Sequence, residues 1–339
     1  MKISMIGLDL AKSVFQVHGI DSEGQAVLQR RLRRGEVESF FRKLRPAVVG
    51  MESCGGAHHW ARLLRSMGHE VRLMPPAYVK PYVRRNKTDG RDAEAICEAM
   101  QRPNMRFVGI KSTEQQAVLA LHRTRSLLVR QRTMAANAFR AVLAEFGVVA
   151  RQGRQALQSL MAESPATVPQ AAHAALASLA RHWRALDADI AELEERIVRT
   201  VKSDPVAQRL IAIPGVGPII AGAVVATVPD ARVFRSGRGF AAWLGLTPRQ
   251  NNSAGRRRTG GISKQGDRML RTLLIVGASS HLRHLRRPRS ATKDQWLTGL
   301  LARKPVKVAC VARAAKTARI IWAMLARNEA YTPRIQRAA

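Results

Sequence analysis

Lys2-Ile3-Ser4-Met5-Ile6-Gly7-Leu8, Ser13-Val14-Phe15-Gln16-Val17-His18-Gly19-Ile20 and Gln25-Ala26-Val27-Leu28-Gln29-Arg30-Arg31 decide the fold of the first third of the chain. Each run is short and rich in residues that suit a pleated surface, so each predicts a strand. The first, taken from Lys2 to Leu8, stops at Asp9. Asp21-Ser22-Glu23-Gly24 supplies a hairpin turn between the second and third. Outward from these strands, residues 35–44 predict a helix and residues 47–51 a buried strand that ends at Glu52. A helix over 57–67, a strand over 70–74 before Pro75-Pro76, and a helix over 89–101 follow. Three leading strands and then alternating helices and strands predict a mixed α/β sheet of the ribonuclease-H type.

Further out the character changes. Residues 113–146 contain no proline and no internal glycine, and predict one long helix. After Pro165 and Pro169, apolar residues recur at Leu176, Leu179, Trp183, Leu186, Ile190, Leu193 and Ile197. The alternating steps of three and four define a heptad seam. It predicts an antiparallel helical arm or a dimerising coiled coil, with a helical hairpin packed inside one subunit as the alternative. Asp204-Pro205 marks a boundary, and a basic, mainly helical region runs to about residue 327. The divisions expected are therefore 1–112, 113–203, 204–330 and a loose tail, 331–339.

Charge limits the function classes. The 339 residues carry 57 Lys and Arg against 24 Asp and Glu, a net charge of +33. Residues 203–339 alone hold 25 basic and 5 acidic side chains. Compaction of so much like charge opposes folding, so a polyanionic partner is expected and a small neutral substrate is not. Cys54, Cys97 and Cys310 are far apart. They support neither a disulfide framework nor a zinc ribbon, and suit a reducing cytoplasm. No run of about 18 apolar residues is present, so no membrane span is expected.

Within this basic chain, Asp9 and Glu52 stand where buried strands stop. Asp89 and Asp92, three apart, share one face of a first helical turn. Singly, such carboxylates cap strands and helices. Together they fit a hard divalent cation such as Mg²⁺, which takes oxygen ligands; two such ions about 4 Å apart can stabilise the entering and leaving oxygens of a phosphodiester displacement.

Two further segments bear on nucleic acid. Ile213-Pro214-Gly215-Val216-Gly217-Pro218 resembles a helix-hairpin-helix turn, with Gly215 and Gly217 leaving backbone N–H groups open to a phosphate. Residues 247–267 are poor in hydrophobes and contain Arg249, Ser253, Arg256, Arg257, Arg258 and Lys264, with Arg268 following. They predict a surface loop that grips a phosphate backbone. A sharper reading makes Ser253 a nucleophile toward DNA phosphate, with Arg256, Arg257 and Lys264 stabilising the developing charge. The loop has no histidine to act as base, so a metal would have to come from elsewhere.

Two ordered sets of motifs now carry a resemblance over nearly the whole chain. Gly7-Leu8-Asp9-Leu10-Ala11-Lys12, Glu52 and Lys87-Thr88-Asp89-Gly90-Arg91-Asp92 form the first. Pro214-Gly215-Val216-Gly217, Leu244-Gly245-Leu246-Thr247-Pro248-Arg249-Gln250 and Gly261-Ile262-Ser263-Lys264-Gln265-Gly266-Asp267 form the second. The chain resembles the DEDD-type transposases of bacterial insertion sequences, the one-hundred-ten family, which includes the Piv-type DNA invertases. The resemblance implies a RuvC-like domain over 1–112 whose Asp9, Glu52, Asp89 and Asp92 bind Mg²⁺, and a mainly α transposase domain over 204–330. It also implies a loop serine that forms a covalent phosphoserine with DNA. Ser253 occupies that place. Ser263 is the second choice and is expected to cap the following helix. Where relatives often show two serines and two glycines, this chain has Asn252-Ser253-Ala254-Gly255.

The family is also associated with a structured noncoding bridge RNA that pairs with donor and target DNA, leaving backbone grip and chemistry to the protein. The expectation is an RNA-guided, Mg²⁺-dependent recombinase, a homodimer or homotetramer in the cytoplasm, associated with the nucleoid. The competing expectations are a RuvC-like junction-resolving nuclease that uses the four carboxylates without a covalent intermediate, and a nucleic-acid-binding protein without catalysis.

Overall fold

A computed structural model describes residues 3–83, 89–149, 151, 153–162, 167–253, 256–286 and 294–332, with the backbone alone for Asp89 and for 251–259. The chain divides into two compact units, Met1–Thr113 and Glu114–Ala339.

The first unit is built on a five-stranded sheet, β1 (Met5–Leu10), β2 (Val14–Ile20), β3 (Ala26–Arg33), β4 (Val48–Glu52) and β5 (Glu70–Met74), in the order β3-β2-β1-β4-β5. β1, β2 and β3 pair antiparallel; β4 is parallel to β1, and β5 to β4. This mixed sheet agrees with the strand pattern read above and is compatible with a ribonuclease-H-like domain. Alternation along the strands sends Ile6, Leu8, Phe15, Val17 and Leu32 to one face. That face packs against Val37 and Phe41 of α1 (Val37–Lys43) and Trp60 and Leu64 of α2 (Ala57–Ser66). The opposite face is covered in part by α4 (Asp89–Met100), which follows the short α3 (Pro76–Val79). Gly7 and Gly50 permit this cover. A Cβ on Gly7 would collide with the Ala93 carbonyl, and one on Gly50 would stand 2.8 Å from the Met100 sulfur.

The second unit begins with a helical hairpin, α5 (Thr113–Glu145) and α7 (Gln170–Lys202), with the short α6 (Arg154–Ala162) between them. The heptad seam is closed within the chain. Leu176, Ala180 and Trp183 of α7 pack with Phe139 and Leu143 of α5 and with Leu157 and Met161 of α6. Arg125 Nε donates to Glu194 at 2.8 Å and Arg132 Nη1 to Asp187 at 2.6 Å, tying α5 to α7. Toward its C-terminus α7 joins a larger core through Ile197 and Val201. That core includes α8 (Pro205–Ile211), α9 (Pro218–Thr227), α10 (Gly237–Trp243), α11 (Arg268–Leu285), α12 (Gln295–Leu301) and α13 (Val306–Arg327). Among the described residues no helix is long and apolar enough to cross a membrane.

Residues 247–267 correct the expectation of an irregular loop. They form a β-hairpin, β6 (Pro248–Ser253) and β7 (Arg256–Ile262), with Ser253 opposite Arg256. A two-stranded ribbon has no hydrophobic face to bury, so it leaves no apolar alternation in the sequence. The expectation that Ser263 caps the next helix is also corrected. Asp267 is the N-cap of α11, its Oδ1 accepting from the Leu270 N–H at 2.8 Å. Ser263 instead donates its backbone N–H to the Thr247 carbonyl at 2.9 Å, at the base of the hairpin.

Candidate functional site

Asp9 and Glu52 lie toward the ends of neighbouring parallel strands. Met5 pairs with Val48 and Gly7 with Gly50 in the parallel β1–β4 ladder. The pairing ends there, and Asp9 and Glu52 each stand two residues beyond it on the two strands. Both share the face of Gly7 and Gly50, which is the face under α4. Met100, at the C-terminal end of α4, packs with Met5 and Val48 at the start of the strands, while Ala93 lies over Gly7. The first turn of α4, with Asp92, therefore points toward the strand ends that carry Asp9 and Glu52. Asp89 begins the same helix, and its side chain lies outside the described residues.

The neighbouring Cys54 reports the local field. The residue is exposed overall, yet partial burial pushes its thiol up, and the charges of Glu52 and Asp9 add to the shift. Among the described residues no group of three or more His, Cys, Asp or Glu is placed to hold a metal ion. The chemistry of the set, carboxylate oxygens only, suits a hard divalent cation.

The second unit carries the serine on a braced hairpin. Gly245 and Gly266, both at φ +68°, bring their two turns into backbone contact: a Cβ on Gly266 would collide with the Trp243 carbonyl. Lys264 takes φ +57°, and its N–H donates to the Gly245 carbonyl at 3.1 Å. Arg271 of α11, which sequence reasoning passed over, clamps both turns. Its Nη1 donates to the Leu244 carbonyl at 2.9 Å and to the Gln265 carbonyl at 2.6 Å. The signal was available: an arginine on the otherwise apolar face of Met269–Ala278 has to be paired inside. Arg249 Nη2 donates to the Ser263 carbonyl at 3.3 Å, and Lys264 and Arg268 are exposed beside it. The side chains of Ser253, Arg256, Arg257 and Arg258 lie outside the described residues; their backbone places them on the two strands.

The expected glycine turn joins α8 to α9. Gly215, at φ +89°, packs on α11, where a Cβ would stand 2.9 Å from the Gly277 carbonyl. Its part is close packing. Gly217 is the N-cap of α9, with open space where a side chain would be. Beneath the turn, buried Arg313 donates to the Pro214 carbonyl at 3.2 Å and pairs with Asp294 at 3.1 Å. A hydrogen bond from His281, 3.4 Å away, holds the Asp294 carboxyl down at about 2, helped by the Leu297 N–H and by Arg313 and Lys316 against the effect of burial.

Comparison with known proteins agrees with this two-part arrangement. A DEDD-type family model described as a transposase matches residues 6–148, the stretch that holds Asp9, Glu52, Asp89 and Asp92. A second, described as the transposase IS116/IS110/IS902 family, matches residues 207–295, from the glycine turn through the serine hairpin. A probable family 20 transposase of Pseudomonas aeruginosa is 52% identical over 98% of this chain and 100% of its own length. The transposase for insertion sequence element IS1111A of Coxiella burnetii is 40% identical over 97% of this chain and 91% of its own. That for IS1328 of Yersinia enterocolitica is 38% identical over 97% of this chain and 99% of its own. With two family models in their expected order and full-length relatives well above 30% identity, the chain belongs to the IS110/IS116/IS902 family of insertion-sequence transposases.

Proposed function

We propose that this transposase cuts and rejoins DNA through two sets of groups, one on each unit. Asp9, Glu52, Asp89 and Asp92 hold Mg²⁺, and Ser253 attacks the phosphodiester. The observation that supports the reading is the parallel pairing of β1 with β4, which carry Asp9 and Glu52 toward their ends on the face covered by α4. When bound, the metal supplies positive charge that stabilises oxygens of the scissile phosphate and lowers the cost of forming an alkoxide nearby. The Ser253 Oγ forms a bond to phosphorus, its proton leaves to solvent or to a carboxylate of the set, and the displaced sugar oxygen is protonated. The serine–phosphate ester keeps the energy of the broken phosphodiester, so a second hydroxyl can reseal the strand without an external source. The hairpin suits this task. Its base is locked by Gly245, Gly266 and Arg271, and a nucleophile works best on a rigid support.

Arg249, Arg256, Arg257, Arg258, Lys264 and Arg268 grip phosphates around the serine, and the Gly217 end of α9 adds a backbone contact. A bridge RNA that pairs with donor and target DNA sets sequence choice, in keeping with a basic protein that reads backbone more than bases. The working form is a homodimer or homotetramer. Leu127 and Met134, seven residues apart on α5, remain 44% and 69% exposed although the seam of α7 is already filled, which supports a surface for a second copy. The test is strand cleavage of element-end DNA by the full-length protein with Mg²⁺ and matching RNA. Asp9→Ala and Glu52→Ala are expected to lower the rate by at least about 10³-fold, as chelation does, with DNA binding retained. Cleavage at the wild-type rate by Asp9→Ala would remove the carboxylate set from the chemistry.

A further inference from the structure

The part of the sheet face left uncovered by α4 continues outward from the acidic edge. Asp9 pairs with Gln16 on β2, and Gln16 with Arg31 on β3. Asp9, Gln16 and Arg31 therefore form one cross-strand row, on the face that also carries Glu52. The row behind it runs from Gly7 to His18 and Gln29. A polar groove of about 370 Å³ opens over these outer positions, lined by Gln16, His18, Gln29 and Arg31 from the sheet and by Arg91 and Glu94 from α4. Arg31 and Gln29 are exposed. The aromatic side chains of this sheet region, Phe15 and Trp60, pack together on the opposite, buried face. The groove offers amide and guanidinium donors beside the Glu94 carboxylate, and the ring in its lining, His18, is only 7% exposed.

We infer that this row is the track along which the DNA strand being cut crosses the sheet, with Arg31 holding a phosphate on one side of the scissile bond and Gln16 contacting the backbone between them. The inference rests on the reading of the Asp9–Glu52 edge as the cleavage centre. Arg31 stands two strand spacings from Asp9, about 10 Å. At about 3.4 Å of axial rise per nucleotide in a duplex, and more in an extended strand, that distance spans about one to three phosphates. A guanidinium suits the bidentate capture of phosphate oxygens, and the burial of the His18 ring favours a backbone contact over the stacked-base mode of RNA-binding sheets.

The full-length protein, with Mg²⁺ and its RNA, is titrated against a DNA duplex carrying the element end. Arg31→Gln is expected to weaken binding about tenfold and to lower the slope of log affinity against log salt by about one. The same change at Arg65, exposed on α2 over the other face, is expected to alter neither. A neutral methylphosphonate is then placed at single positions on either side of the cut. At one position within about three nucleotides it should weaken wild-type binding and add nothing further in Arg31→Gln. An unchanged salt slope in Arg31→Gln, with Asp9→Ala inactive, overturns the track and leaves the cleavage centre standing. Wild-type cleavage by Asp9→Ala overturns the centre itself. A loss confined to RNA affinity assigns the groove to RNA and overturns the inference.

Discussion

Arg271 does for the serine hairpin what no hydrophobic contact could. Two turns of backbone meet at Gly245 and Gly266, and the Leu244 and Gln265 carbonyls of these turns both face Arg271. One guanidinium, 8% exposed, donates to both Leu244 and Gln265. A buried carbonyl left without a donor costs about 1–3 kcal/mol, so Arg271→Ala should destabilise the second unit by about 2–4 kcal/mol in denaturant unfolding. A loss below about 0.5 kcal/mol would show that the clamp is incidental. Asp9 and Glu52 are the complementary case. Their types and their strand-end positions were visible in the sequence, because an acid after a buried apolar run in a +33 chain is conspicuous. That the strands carrying them are neighbours was not visible, since it depends on the pairing of β1 with β4, two strands more than 30 residues apart.

At the scale of elements, the same contrast recurs. The strands and long helices were readable from periodicity. The Leu176–Ile197 seam was equally readable, but a heptad pattern does not name its partner, and here α5 and α6 of the same chain supply much of it. The β6–β7 hairpin was missed because Asn, Arg, Thr and Gly carry no apolar period. One crossing of elements has a pH consequence. His122 of α5 is 2% exposed, with its Nε2 3.2 Å from where a Gly222 Cβ of α9 would stand. Burial, with the nearby charge of Arg125, pushes its pKa down from 6.5 to about 4. In the unfolded chain His122 takes up a proton below about 6.5, whereas in the folded chain it stays neutral until about 4. Stability contributed by the neutral, buried ring is therefore present above pH 6.5 and is lost as pH falls from 6.5 toward 4. At pH 5 the loss is about 2 kcal/mol, from about 1.4 kcal/mol per pH unit. His122→Leu should flatten that part of the profile in unfolding at pH 7 and pH 5; an unchanged pH dependence would contradict the assignment.

Over the whole molecule, charge and chemistry divide between the units. The first holds 11 of the 24 acidic residues within its first hundred positions, with Asp9 and Glu52 toward the ends of neighbouring strands and Asp92 in the first turn of α4. The part of the chain from 203 onward holds 25 of the 57 basic residues and carries the serine on a braced hairpin. The two sets supply different things: carboxylates that hold a metal can activate water for hydrolysis, and a serine without a nearby base or cation is a weak nucleophile. The central claim is that they act on the same phosphodiester. Its most direct measurement is mass analysis of the peptide containing Ser253 after incubation of the full-length protein with Mg²⁺, matching RNA and element-end DNA. The account predicts a DNA phosphate ester on Ser253, absent from Ser253→Ala and from Asp9→Ala. Strand cleavage by Ser253→Ala at the wild-type rate, with no protein–DNA adduct in the wild type, would contradict it and make the cut a hydrolysis.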